Sequence, residues 1–208
     1  MALDQDAIYL GVPDQLTTGA VSTADPKAVP VKDINDGTFT ARTVLDDKWT
    51  ASGYITDAGI TLSQSRSTSS LKDWSGAAVR TLLDEFTGTI SYAEMQTDKV
   101  TMERMVGANN VKFFEANSEH GDQMAVGIGP ELPPSRSYVF SMKDGDRRMR
   151  IYVPNGQVTS VADAAFVNNA AVAWNFTVSC SDDGTGHSIY ILTDDGQVVV
   201  ASAPNAGE

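Results

Sequence analysis

From Val79 to Met95 the side chains alternate in character almost residue by residue. Leu82, Phe86, Ile90 and Tyr92 fall on one side of an extended chain, together with Asp84 and Gly88. Thr81, Glu85, Thr87, Thr89 and Ser91 fall on the other, with Leu83. A period of two is the pattern of a strand with one face on a core and one in water; a helix would scatter the same residues around its axis. The wet face carries hydroxyls and acid, with no lysine or arginine between Thr81 and Met95. An ordinary solvent-facing sheet surface is the default reading of such a face.

The same logic finds other strands. Phe39–Leu45 reads as a strand, and Tyr54–Thr56 and Ile60–Leu62 flank the turn-like Asp57-Ala58-Gly59 as a hairpin. Tyr138–Met142 and Arg148–Val153 bracket Asp144-Gly145, a strong hairpin signal, and Pro154-Asn155-Gly156 reads as a further turn. Ala171–Cys180 alternates, with Val172, Trp174, Phe176, Val178 and Cys180 on one side. Ser188–Leu192 and Gln197–Ala201 form a last hairpin across Asp194-Asp195-Gly196. One helix is expected over Asp98–Val106, capped by Thr97, ended by Gly107, with Val100, Met102, Met105 and Val106 as its apolar stripe. Residues 108–136 are mixed and broken by glycine and proline.

Two segments lack a period. Residues 1–36 read as an N-terminal arm, of the kind that wraps a neighbouring subunit or stays a free tail. Ser63, Gln64, Ser65, Arg66, Ser67, Thr68, Ser69, Ser70, Leu71, Lys72 and Asp73 read as a long hydroxyl-rich loop, and long loops are functional or simply solvated. The expected architecture is mainly β: two packed antiparallel sheets, sandwich-like or barrel-like, flanked by one short helix. The β domain runs over 37–201 and residues 202–208 form a short polar tail.

Composition narrows the function. Among 208 residues, 27 acids against 15 Lys and Arg give a net charge of −12. Binding a nucleic acid by neutralising its phosphates needs clustered cations, which this balance opposes. The single cysteine, Cys180, sits on an apolar face and reads as a buried, inert thiol rather than the partner of His187. The N-terminus has no basic, apolar leader pattern and no stretch is apolar enough for a membrane span, so folding in cytosol and no membrane partner are expected. His120 and His187 lie outside any ligand motif, and no cofactor or metal site is expected. Asp182-Asp183-Gly184 and Asp194-Asp195-Gly196 lack calcium-loop spacing and read as turns. Asp84 and Glu85 point to opposite faces of a regular strand, which defeats shared acid–base work. Trp49, Trp74 and Trp174 fit a sugar platform only if the fold gathers them. No catalytic set emerges, and an enzyme is not expected.

The order of these features resembles a known family. Trp49-Thr50 through Gly53–Leu62, Lys72–Gly76, Val79–Leu82, Phe86–Ser91, the helix from Thr97 to Gly107 and Arg150–Asn155 are together similar to major tail tube proteins of phages with long, non-contractile tails, nearest in pattern to those of actinobacterial phages. The resemblance covers about residues 38–200. It implies a structural virion protein whose copies close into rings, six to a ring, and stack into a hollow tube with a β-lined lumen. It implies that Glu85, Thr87, Thr89 and Ser91 face that lumen and that the Ser63–Asp73 segment contacts the next ring. The implied partners are further copies of the chain, the tape measure protein, the tail tip or baseplate and the tail terminator, with DNA passing through unbound. Assembly in the host cytoplasm follows, and no decorating C-terminal domain is expected. Two other readings stay open: a type VI secretion-like tube protein, and an acidic β-sandwich carbohydrate-binding module.

Overall fold

The protein is described here by a computed structural model covering residues 8–14 and 19–197. Ten strands and two helices follow in order: β1 (Val21–Ala24), α1 (Val31–Asn35), β2 (Thr50–Ala51), β3 (Ile55–Lys72), β4 (Ala78–Glu94), α2 (Lys99–Val106), β5 (Val111–Phe114), β6 (Gln123–Val126), β7 (Arg136–Asp144), β8 (Arg147–Ala162), β9 (Trp174–Cys180) and β10 (Tyr190–Asp194). One sheet has the order β2-β1-β7-β8-β9-β4-β3, with β10 also on β8; β5 and β6 form a second, two-stranded sheet. Every pairing is antiparallel.

The large sheet curls over its own core without closing. Tyr92 on β4 packs edge-on against Phe140 on β7, ring centroids 5.4 Å apart, although two strands separate them in the sheet. Ile90, Phe140, Phe176 and Val178 are fully buried beside them, and Met102, Met105 and Val106 of α2 close the cluster. Fully burying side chains of this size contributes about 1.5–3 kcal/mol each. The middle stretches of β7 and β8 are buried on both faces. Tyr138 and Phe140 point into the main core, while Val139 and Tyr152 point outward beneath Phe39 and Val29 in a second cluster.

Several elements differ from the sequence reading, each for a physical reason. Val21–Ala24, read as part of an arm, is a strand between β2 and β7 with all four residues buried. Its four residues are too few to show a period. Phe39–Leu45 is not a strand. The buried Arg150 guanidinium lies 5.4 Å from the Phe39 ring centre and donates to the carbonyls of Thr40 and Thr43, 2.9 Å each, which holds the segment as a turn against β8. Pro154-Asn155-Gly156 does not turn; β8 continues through it, with a register shift against β7 between Val153 and Gly156. Gly156 is there for space, since a Cβ would lie 2.7 Å from Val178 and 2.8 Å from the Tyr138 ring. Asp98, not Thr97, caps α2, its carboxylate accepting the Thr101 N–H at 2.8 Å. The Thr97 hydroxyl instead accepts from the Trp174 indole. The mixed region contains the β5–β6 hairpin. Tyr190–Asp194 pairs with β8, and the proposed partner strand over 197–201 lies, beyond Gln197, outside the described residues.

Candidate assembly surfaces

The Tyr54–Leu62 hairpin and the Ser63–Asp73 loop do not exist as such. Ile55–Lys72 is one strand, paired with β4 from Ile55↔Glu94 to Lys72↔Ala78. Asp57-Ala58-Gly59 is an irregularity within it, with Gly59 at φ +67°, a conformation glycine takes without strain. The alternation of the hydroxyl-rich stretch is invisible in its sequence. Both of its faces are exposed, so no apolar period marks it, and the β-branched threonines and backbone pairing hold it extended.

β9 covers β4 only from Gly88 to Glu94. Beyond Gly88, β3 and β4 leave the body together as a two-stranded arm. Gln64–Lys72 spans about 30 Å at ~3.3 Å per residue. Asp73 builds the tip: its carboxylate accepts from the Ser75 hydroxyl (2.6 Å) and the Ala77 N–H (2.9 Å), and Gly76 takes φ +86°. These hydrogen bonds, Ser75 first, hold the Asp73 carboxyl below its ordinary pKa. From Ser63 to Phe86 every described side chain of the arm is exposed, including Leu71, Trp74, Val79 and Leu83.

A β-bulge re-sorts the arm's faces. Ser67 opposes Glu85 but Thr68 opposes Leu83, leaving Asp84 as the extra residue. Its carboxylate accepts from the Ser69 hydroxyl at 2.8 Å, which puts Asp84 on the same side as Glu85. Asp84 and Glu85 therefore share a face, where a regular strand would have set them on opposite ones. Past the bulge, Leu82 joins the face of Glu85 and Thr87, while Leu83 and Thr81 join that of Phe86 and Ile90. Strict alternation had assigned these three the other way.

Glu85, Thr87, Thr89 and Ser91 do share one face, with no bulge between them. Glu85 and Thr87 are exposed; Thr89 and Ser91 are half-buried. The structure adds what sequence reasoning missed. Opposite them on β3 stand Ser67, Ser65, Ser63 and Thr61, and on β9 Ser179 and Thr177. Ser91 and Thr177 hydroxyls lie 3.3 Å apart. The result is a hydroxyl carpet across three strands, on the side away from Ile90 and Tyr92, with Glu85 and the bulged Asp84 as its acids. Arg66 belongs to the other face, its guanidinium 5.0 Å from the centre of the Phe86 ring.

The remaining singled-out residues have structural positions. Burial pushes the Cys180 thiol up to about 12. His120 sits in a loop bonded to Asn117 and Gly121, and His187 faces Thr185 and Tyr190. Asp182 accepts backbone N–H groups of Gly184 and Gly186; Asp194 pairs with Arg42 and accepts the Gly196 N–H. The tryptophans are apart: Trp49 lies against Tyr152, Trp174 against Phe166, and Trp74 at the arm tip. They form no common platform, which removes the observation that a carbohydrate-binding reading needed.

The geometry is that of a curled antiparallel sheet that sends out a two-stranded arm. The chain belongs to the phage tail tube protein family, whose pattern matches residues 1–204. It is therefore a structural component of the phage tail tube. No curated protein matches it. Among solved structures it is similar to a chain of the PVC extracellular contractile injection system sheath–tube complex in the extended state, at 13% identity and TM-score 0.39 over 71% of this chain and 84% of that one. It is also similar to a chain of the anti-feeding prophage tube-terminating cap, at 11% identity and TM-score 0.42 over 92% and 97%. Both likenesses are loose.

Proposed function

We propose that copies of this chain close into six-membered rings that stack into the tube of a non-contractile phage tail, and that the viral genome passes through its lumen. The observation that carries this reading is the β3–β4 arm, an element about 30 Å long that buries almost nothing within its own chain. A lone hairpin is marginal in water, so an exposed one of this length is explained by a neighbour that covers it. The arm, including Ser63–Asp73, contacts the next ring. The hydroxyl face centred on Glu85, Thr87, Thr89 and Ser91 lines the lumen. Hydroxyls and acid without cations offer a polyanion no counterion-releasing contact, so DNA slides without binding. The chain performs no reaction; its partners are other copies, the tape measure protein, the tail tip and the terminator, met in the host cytoplasm.

The test is negative-stain microscopy of the purified protein at rising concentration, followed by light scattering. Hollow tubes, or rings that elongate when tail tip and tape measure are supplied, are expected. A chain that stays monomeric under both conditions is not a tube subunit.

A further inference from the structure

The arm and an apolar groove of the body lie at opposite ends of the same strands. β4 and β9 pair from Gly88↔Cys180 to Glu94↔Trp174. The arm continues from the Gly88 end, and a groove of about 460 Å³ opens at the Trp174 end. Ile128, Leu132, Val161, Phe166 and Trp174 wall the groove, with Glu131 among them. Ile128 is 79% and Phe166 75% exposed, and the Phe166 and Trp174 rings meet edge-on at 6.1 Å. An apolar surface of this kind marks an interaction site.

The arm tip has matching chemistry. Trp74 is fully exposed at its end, beside exposed Leu71 and Val79. In a chain of net charge −12, the segment Leu71–Arg80 carries two cations, Lys72 and Arg80, against Asp73 alone, whose carboxylate is engaged in the turn. The arm points away from its own groove, so the tip has no route to it. We infer that the groove receives the arm tip of a second copy, with Trp74 entering beside Phe166 and Trp174, and Lys72 and Arg80 meeting Glu131. This rests on the tube reading and names the surface that receives the arm. Because donor and receptor sit at opposite ends of each copy, the contact is head-to-tail and propagates, where a two-fold contact would stop at a dimer.

Two measurements on the full chain test it. Trp74→Ala removes an exposed side chain and leaves the fold intact by circular dichroism; the critical concentration for elongation should rise about thirtyfold, the scale of a lost aromatic anchor. Ala77→Cys in the tip turn with Ala164→Cys on the groove wall, changes that leave Trp74, Phe166 and Trp174 in place, should give a ladder of linked copies when assembled tubes are treated with a short bis-maleimide. Tubes that form normally with Trp74→Ala, or that give no ladder, overturn this inference and leave the tube reading standing. Linkage of Ala164→Cys to Leu10→Cys, in place of the arm, assigns the groove to the N-terminal segment and also overturns it. A wild-type chain that never assembles overturns both.

Discussion

Arg104 links three strands to a helix through one buried side chain. Its guanidinium is fully buried and donates to Glu94 at 2.8 Å, to the Thr23 hydroxyl at 3.1 Å and to the Thr50 carbonyl at 2.8 Å, while Thr101 donates to the second Glu94 oxygen. One side chain thus ties α2 to β4, β1 and β2. Removing one member of a buried pair strands the other charge, so Arg104→Met should cost about 3–5 kcal/mol, and the double change Arg104→Met, Glu94→Leu should recover much of it; urea unfolding measures both. Asp183 makes a different point. Burial raises its pKa, but hydrogen bonds from Tyr190 and Thr185 together outweigh burial and hold it at about 2. A carboxyl depressed below its unfolded value stabilises the fold above about pH 4, and that contribution is lost as pH falls towards 2. The stability gap between wild type and Asp183→Asn, read from urea midpoints, should therefore shrink between pH 5 and pH 2. A gap that widened on acidification would contradict this assignment.

At the scale of elements, the β3–β4 arm is the part least tied to the body. Its strands hold each other, its tip depends on Asp73, and the core at Ile90 and Tyr92 begins only below Gly88. Replacing residues 64–87 by a short turn should leave the monomer's unfolding midpoint nearly unchanged and abolish elongation. Light scattering and thermal unfolding check the two halves separately, and tubes of normal length from the shortened chain would remove the arm from assembly. Where one face of an element is buried, its pattern is legible: β4 near Ile90, β9 and α2 lie where alternation or the apolar stripe puts them, and β7, buried on both faces in its middle, lies where the Asp144-Gly145 turn puts it. The arm's outer half was read as a loop because nothing in its own chain writes a period onto it.

For the whole molecule, net charge and the hydroxyl face act together. Glu85→Lys with Thr89→Lys puts two cations on the proposed lumen wall without touching the core or the arm tip. Tubes should still form, while DNA release from phage carrying the variant should slow, because each cation gives the phosphate backbone a counterion-releasing contact. Unchanged release kinetics would take this face out of the lumen.

The sequence by itself determined the β class, the single substantial helix, the tight Asp144-Gly145 turn and the acidic, cation-poor face of Glu85, Thr87, Thr89 and Ser91. These rest on local periodicity, turn chemistry and composition, which a short window contains. Only the tertiary structure decided that Ser63–Lys72 is a strand, that Asp84 is a bulge, that Arg104 meets Glu94, and that the groove and the arm face opposite ways. Each of those depends on which distant segment supplies a hydrogen bond, a charge or a covering side chain, and pairing across the fold leaves no period in either partner alone.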